Sequence, residues 1–267
     1  MNLDIKYWDP SNMKDGAVIL IVGRRGSGKS TVAEDLMSYK RDVKRGVCVS
    51  ATEKANKFWS NHIPSCFIHY SYDDKITKDL FSMQKKVKRK TGIVEPAFAI
   101  YDDLMFDKSF VKSKMTRRVF MNGRHDGIFT IVTAQWIMDV PPDLRANIDY
   151  VVVLRDNIRV NRERVYTYFA GVFPNFSSFD EVMQSCTNNH ECLVLDQTSL
   201  SYNISDCVYF YKATPDLKYK LGSKEYWRYS QKNNEEDFEE NSDFSDSENE
   251  FSTRKKNNVR VRKRYPK

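Results

Sequence analysis

Between Gly16 and Met37 the chain reads GAVILIVGRRGSGKSTVAEDLM, and this stretch limits the fold more tightly than any other. GAVILIVG is an unbroken apolar run bounded by glycines. It lacks the polar alternation of a half-exposed strand, so it predicts a strand buried on both faces. Three glycines then break the run within six residues, and KSTVAEDLMSYKR follows with Val32, Leu36 and Met37 at helical spacing. A strand with two buried faces needs cover on both sides. The pattern therefore predicts an α/β fold around a mostly parallel sheet sandwiched by helices.

The rest of the chain supplies the partners. RGVCVSAT and the segment around IPSCFIHYSY read as further strands, as do AFAIYD, GIFTIVTAQ and DYVVVLRD. The stretches Ile76 to Lys90, Lys112 to Asn122 and Asn157 to Ala170 are long enough for crossover helices. After Pro174 the pattern predicts a helix around Phe179 to Met183, a strand at ECLVLD and a hairpin through DCVYFYKA. With 267 residues, 40% of them hydrophobic, the chain can bury one large core. No apolar stretch reaches the ~18 to 20 residues that span a bilayer, which predicts no membrane insertion and a place inside the cell.

The net charge of +7 conceals an asymmetry. Gln231 to Ser252 holds nine acids and one lysine, whereas Thr253 to Lys267 holds eight basic residues and no acid. Low hydrophobicity and block charge predict a disordered acidic-then-basic tail over residues 229–267, after an ordered domain over 1–228. The two blocks nearly cancel, so the positive excess belongs to the body and fits a polyanionic partner. The five cysteines are unevenly spaced, as in a reducing compartment. Cys186, His190 and Cys192 lie close enough in sequence to weigh as zinc ligands, but a second ligand pair is missing and ordinary core or loop cysteines are the simpler reading.

Gly23 to Ser30, GRRGSGKS, matches the phosphate-binding loop G-x-x-x-x-G-K-[ST] in the strand–loop–helix context the chemistry requires. Backbone N–H groups of Gly23, Arg24, Arg25, Gly26, Ser27 and Gly28 would face phosphate oxygens at the positive end of the following helix. Lys29, taken as part of a solvent-facing loop, would reach the β and γ phosphates. Ser30 would place its hydroxyl on Mg²⁺, with Thr31 behind it. At the end of AFAIYDDL stand two adjacent carboxylates. In phosphate-loop proteins an acid ending a neighbouring parallel strand holds the magnesium shell, the role predicted for Asp102, while Asp103 would polarise the attacking water. A helix expected from about Leu104 offers Asp103 the alternative task of capping it. Gln135 ends the next apolar strand and can contact the γ phosphate or the attacking water.

The ordered set GRRGSGKS, FAIYDDL, GRHDGIFTIVTAQ and PPDLRANIDYVVVLRD resembles the DNA-packaging ATPases of large nucleocytoplasmic DNA viruses, the poxvirus type, within the FtsK/HerA superfamily of P-loop NTPases with RecA/FtsK-like folds. The resemblance covers roughly Ile5 to Lys220. It implies ATP and Mg²⁺ as ligands, with Gly23, Gly28, Lys29 and Ser30 binding nucleotide and metal, Asp102 and Asp103 as the metal-holding and water-activating acids, and Gln135 as the sensor. It also implies a homo-oligomeric ring, commonly a hexamer, that drives double-stranded DNA through a central channel, with capsid or portal proteins as further candidate partners. The implied place is the host cytoplasm, with the virion and the nucleus left open. In such rings an arginine completes the neighbour's site, and Arg124 is the first candidate and Arg145 the second.

For DNA contact the densest basic run is KKVKRKTG, with Lys85, Lys86, Lys88, Arg89 and Lys90 closing a helix. Lysines at a helix C-terminus in plain solvent are the alternative. A GTPase is excluded by the lack of N-K-x-D: the one Asn-Lys pair continues with Phe58 and Trp59. A small-molecule kinase is the competing class, since RDNIRVNRERV, with Arg155, Arg159, Arg162 and Arg164, imitates an arginine-rich lid. A switch or scaffold without turnover is the third.

Overall fold

The computed structural model describes residues 3–242 of the chain. Its strands are β1 (Lys6–Tyr7), β2 (Val18–Val22), β3 (Gly46–Ser50), β4 (Ile68–His69), β5 (Ala97–Asp102), β6 (Ile128–Ala134), β7 (Tyr150–Val153), β8 (Glu191–Asp196) and β9 (Val208–Lys212). The helices are α1 (Lys29–Ser38), α2 (Glu53–Asn56), α3 (Asp74–Thr91), α4 (Lys108–Lys112), α5 (Lys114–Asn122), α6 (Pro142–Arg145), α7 (Arg159–Phe169), α8 (Phe176–Cys186) and α9 (Lys224–Ser242). The strands form one sheet in the order β1-β9-β8-β7-β2-β6-β5-β3-β4. β8 runs antiparallel to β7 and β9, and the other pairings are parallel. The expected mostly parallel α/β sheet is thus present, and the expected hairpin is β8 with β9.

β2 lies near the centre, and all five of its residues are buried. Val18, Leu20 and Val22 enter the core on one face, beneath α3, α5, α7 and α8, whereas Ile19 and Ile21 enter the other, beneath α1 and the segment around Trp59. Burying each of these side chains contributes about 2–3 kcal/mol, which fixes the strand that aims the loop after it. The acid-bearing β5 does not pair with β2. β6 lies between them, so loop, glutamine and acids come from three successive strand ends.

Gly46 opens β3 against β5. A β-carbon there would lie 2.4 Å from both the ring and the carbonyl oxygen of Phe98. Gly46→Ala is expected to destabilise the fold by about 2–3 kcal/mol. Urea denaturation checks this, and a loss below about 0.5 kcal/mol would show that the two strands separate more easily than their register implies.

Two helices differ from the sequence expectation. The helix expected over Lys112 to Asn122 is two helices, because Ser113 leaves the helical conformation and caps α5 through Met115 N and Thr116 N. The helix expected near Leu104 starts at Lys108 and is capped by Asp107, so Asp103 caps nothing. The chain divides into two units after Ser230. Residues 229–242 belong to a helix where the sequence predicts irregular chain, and the rest of the expected charged tail lies outside the described residues. Among the described residues no helix is long and apolar enough to cross a membrane.

Candidate functional site

The loop between β2 and α1 is held at both ends. Gly23 N–H donates to the Ala134 carbonyl at 3.1 Å, which ties the loop's first residue to the tip of β6. Gly26 and Gly28 adopt positive φ angles of 73° and 98°, a region where a β-carbon is strained, so the glycine spacing is a backbone requirement. At Gly23 a β-carbon would lie 2.5 Å from Ser27 Oγ. Ser27 closes the turn by donating its N–H and its hydroxyl to the Arg24 carbonyl at 3.2 and 2.7 Å. Arg24 and Arg25 are exposed. Gly28 occupies the position before α1, no side chain caps the helix, and its first turn carries no acid. That leaves an uncompensated positive helix end over the loop, followed by Ser30 and Thr31, both partly exposed.

Lys29 is the first residue of α1 and only 6% exposed, which corrects the expectation of a solvent-facing position. Its stem packs inside while its ammonium crosses the loop, 3.4 Å from the Arg24 carbonyl and 3.4 Å from Asp103 Oδ1. The loop and the acid pair, more than seventy residues apart in sequence, therefore meet.

The two aspartates have different surroundings. Asp102 is buried at the end of β5, with Thr133 Oγ1 donating to Oδ1 at 2.7 Å, and Trp59 Nε1 and Ser50 Oγ donating to Oδ2 at 3.2 and 3.4 Å. Burial pushes its carboxyl above the usual carboxylate range, and the bonds from Thr133 and Trp59 oppose that shift. Asp103 steps off the strand into a left-handed conformation, φ 52°, with its N–H on Thr133 Oγ1 at 2.8 Å. Its Oδ1 is buried and makes no hydrogen bond. Two carboxylates with one lysine leave a negative deficit, and the donors are all oxygen. The Asp102 carboxylate and the Ser30 hydroxyl therefore suit a hard divalent cation such as Mg²⁺, with Asp103 beside them.

Gln135 follows β6 directly and is exposed. It lines a narrow cleft with Gly23, Trp136, Asp156, Asn161 and Arg164. On the α1 side of the loop a wider opening of about 800 Å³ is lined by Gly28, Thr31, Arg155, His190, Lys212 and Pro215.

Neither predicted arginine reaches this end of the sheet. Arg124 sits in a 3-10 turn, Gly123–Asp126, against Gly16 ahead of β2. Arg145 closes α6 just before Asp149, whose carboxylate accepts from the Val18 N–H. Its guanidinium stacks 3.8 Å from the Tyr168 ring centroid, and its NH1 is buried without a hydrogen bond. Both lie at the opposite edge from the loop. The basic run of α3 shares that edge: Gln84, just before it, donates to the carbonyls of Glu95 and Asp126.

Of the arginines of the supposed lid, Arg159, Arg162 and Arg164 lie on α7 and Arg155 lies in the connection that precedes it. Arg155 bonds Asn188, Arg159 pairs with Glu163, and Arg162 pairs with Asp180 on α8. The cysteines are free thiols, with Cys192 bonded to the Tyr211 carbonyl. Sequence reasoning missed Ser50, Trp59 and Thr133. A polar Thr133 inside the apolar run of β6 was a usable signal, whereas Trp59 gives none until the fold brings it to Asp102.

The fold and its loop define an α/β protein with the fold of P-loop NTPases. The same fold is found in the genome-packaging NTPase B204 of Sulfolobus turreted icosahedral virus 2, solved in complex with AMP, at a TM-score of 0.54 and 16% identity over 77% of this chain and 100% of that one. It is also found in the pCW3 conjugation coupling protein TcpA, solved as a monomer with ATPγS, at 0.52 and 13% over 75% of this chain and 61% of that one. No protein-family model matches the sequence. The uncharacterized protein L437 of Acanthamoeba polyphaga mimivirus is 32% identical over 84% of this chain and 81% of its own length. The uncharacterized protein 075L of Invertebrate iridescent virus 6 is 32% identical over 87% and 92%, and 015R of Frog virus 3 is 31% identical over 80% and 68%. The chain belongs to the family that these proteins of large DNA viruses form, and the expected resemblance holds in both lineage and fold.

Proposed function

We propose that this protein is a Mg²⁺-dependent ATPase that drives double-stranded DNA during genome packaging. The observation that carries the reading is the meeting of Lys29 and Asp103 at 3.4 Å, beside the buried Asp102 and beneath an uncapped helix end. The structural relatives include a genome-packaging NTPase and a conjugation coupling protein, which supports work on DNA rather than on a small molecule.

In this reading the loop N–H groups of Arg24, Arg25, Gly26 and Gly28, with Ser30 and Thr31 at the helix start, hold the triphosphate; those expected from Gly23 and Ser27 are instead given to the Ala134 and Arg24 carbonyls. Lys29 turns from Asp103 to the β and γ phosphates, which frees Asp103 Oδ1 to accept a proton from the attacking water. Ser30 and Asp102 would hold the Mg²⁺, which neutralises charge on the phosphates. Gln135 senses the γ position from the tip of β6, and Gly23 shares the neighbouring residue of that strand, so a change at the phosphate can pass into the sheet. Arg124 and Arg145, at the far edge, cannot serve their own chain's site and fit service to a neighbour in a ring. The exposed lysines of α3 at that same edge suit contacts to a DNA backbone that carry no base readout. Capsid or portal proteins are further partners, and the host cytoplasm is the place of action. For the kinase alternative, a mobile lid would have to break the Arg162–Asp180 pair and unpack Val165 and Phe169 from the core.

The test is the rate of ATP hydrolysis with and without duplex DNA, together with particle mass in the presence of nucleotide. Stimulation by DNA, weakening steeply with salt, and a ring-sized particle are expected. A monomer that passes phosphate to a nucleoside would replace the motor with the kinase.

A further inference from the structure

Trp59 is fully buried in the core on the α1 face, and its indole N–H can only donate. It has one acceptor, Asp102 Oδ2 at 3.2 Å. The other donor to that oxygen is weaker: the Ser50 hydroxyl stands 3.4 Å away and has a competing partner in Thr52 Oγ1 at 3.2 Å. Trp59 is itself fixed. Both oxygens of the buried Glu53 accept backbone N–H groups, Trp59 N at 2.9 Å and Ser60 N at 2.8 Å. Phe58 packs edge-on against the indole at 5.1 Å. The same short segment then reaches α1, where His62 Nε2 lies 3.0 Å from Glu34 Oε1. One stretch of chain thus grips the acid of β5 at one end and the helix that the phosphate loop opens at the other.

We infer that Trp59 is a positioning residue for Asp102, its indole N–H holding Oδ2 so that the carboxylate presents Oδ1 in a fixed orientation toward the cation. This rests on the reading above, in which Asp102 holds Mg²⁺. A carboxylate gripped firmly on both oxygens cannot turn about its terminal bond, whereas one held by Thr133 and only the long bond from Ser50 turns more easily. Losing one hydrogen bond to a charged group corresponds to about tenfold.

The experiment compares nucleotide affinity with and without Mg²⁺ in wild type and in Trp59→Phe, which keeps the ring and removes the donor. The metal-free affinity should stay within about twofold, while the Mg²⁺-dependent gain falls about tenfold and kcat falls with it. Equal loss with and without the metal, or no loss, overturns the inference. Wild type lacking any Mg²⁺-dependent gain would instead remove the underlying reading. Should Trp59→Phe fail to fold, ¹⁵N spectra of the indole groups serve on folded protein. One of the four tryptophan signals should shift when Mg²⁺ joins bound nucleotide and should move again in Asp102→Asn. Four signals indifferent to both changes overturn it equally.

Discussion

Lys29→Ala is expected to reduce ATP hydrolysis at least about a hundredfold while leaving the protein folded. The size of the effect follows from where the ammonium stands. It is the one positive side chain within 4 Å of the acid pair among the described residues, and it sits on the first residue of a helix whose positive end is left without a cap or an acid. Removing it takes away charge that phosphoryl transfer needs as the γ oxygens separate from the leaving group. The cost to stability should be small. Alanine suits the first turn of a helix, and Asp103 is 26% exposed, so solvent takes over part of the lost pairing. A change of about 1 kcal/mol, a few degrees in melting temperature, is the expected scale. Lys29→Met, which keeps the buried stem, should lose hydrolysis to the same extent with even less effect on melting. Hydrolysis that survives both substitutions would remove the lysine from the chemistry and the nucleotide reading with it.

Much of this arrangement was legible in the sequence because it rests on local pattern. The apolar run of β2, the glycine spacing and the helical spacing of Val32, Leu36 and Met37 each report on adjacent residues, and each matches an observed element. The ends of β5 and β6 were equally plain, since a largely apolar strand must end at Asp102 and just before Gln135. What escaped depends on distant partners. The burial of Lys29 follows from core packed around α1, not from its neighbours in the chain. Trp59 reads as an ordinary aromatic until a 3-10 turn and Glu53 carry it to Asp102. The break at Ser113 and the late start of α4 turn on one or two capping hydrogen bonds each, which a spacing argument cannot rank against one more helical turn. The insertion of β6 between β2 and β5 is a matter of strand order, and pattern along one strand says nothing of its neighbour.

Asp103→Asn should separate binding from turnover, and the geometry makes it a cleaner probe than any change at Asp102. Asp102 accepts hydrogen bonds on both oxygens, so an amide there would face a donor with a donor and disturb β5, β6 and Trp59 together. Asp103 Oδ1 has no hydrogen-bond donor to lose, and its left-handed backbone is one that asparagine tolerates as well as aspartate does. Its N–H bond to Thr133 Oγ1 survives the change. The substitution therefore removes a negative charge and a proton acceptor at one oxygen and little else. Nucleotide affinity should stay within about threefold of wild type, or rise slightly, because Lys29 no longer has to leave a carboxylate before meeting phosphate. Turnover should fall about a hundredfold or more if Asp103 takes the proton of the attacking water. Pre-steady-state binding and single-turnover hydrolysis measured on the same preparation decide the matter. An equal fall in affinity and turnover would assign Asp103 to holding the metal alongside Asp102, and the water would then need a different base, with Gln135 limited by its chemistry to orienting it.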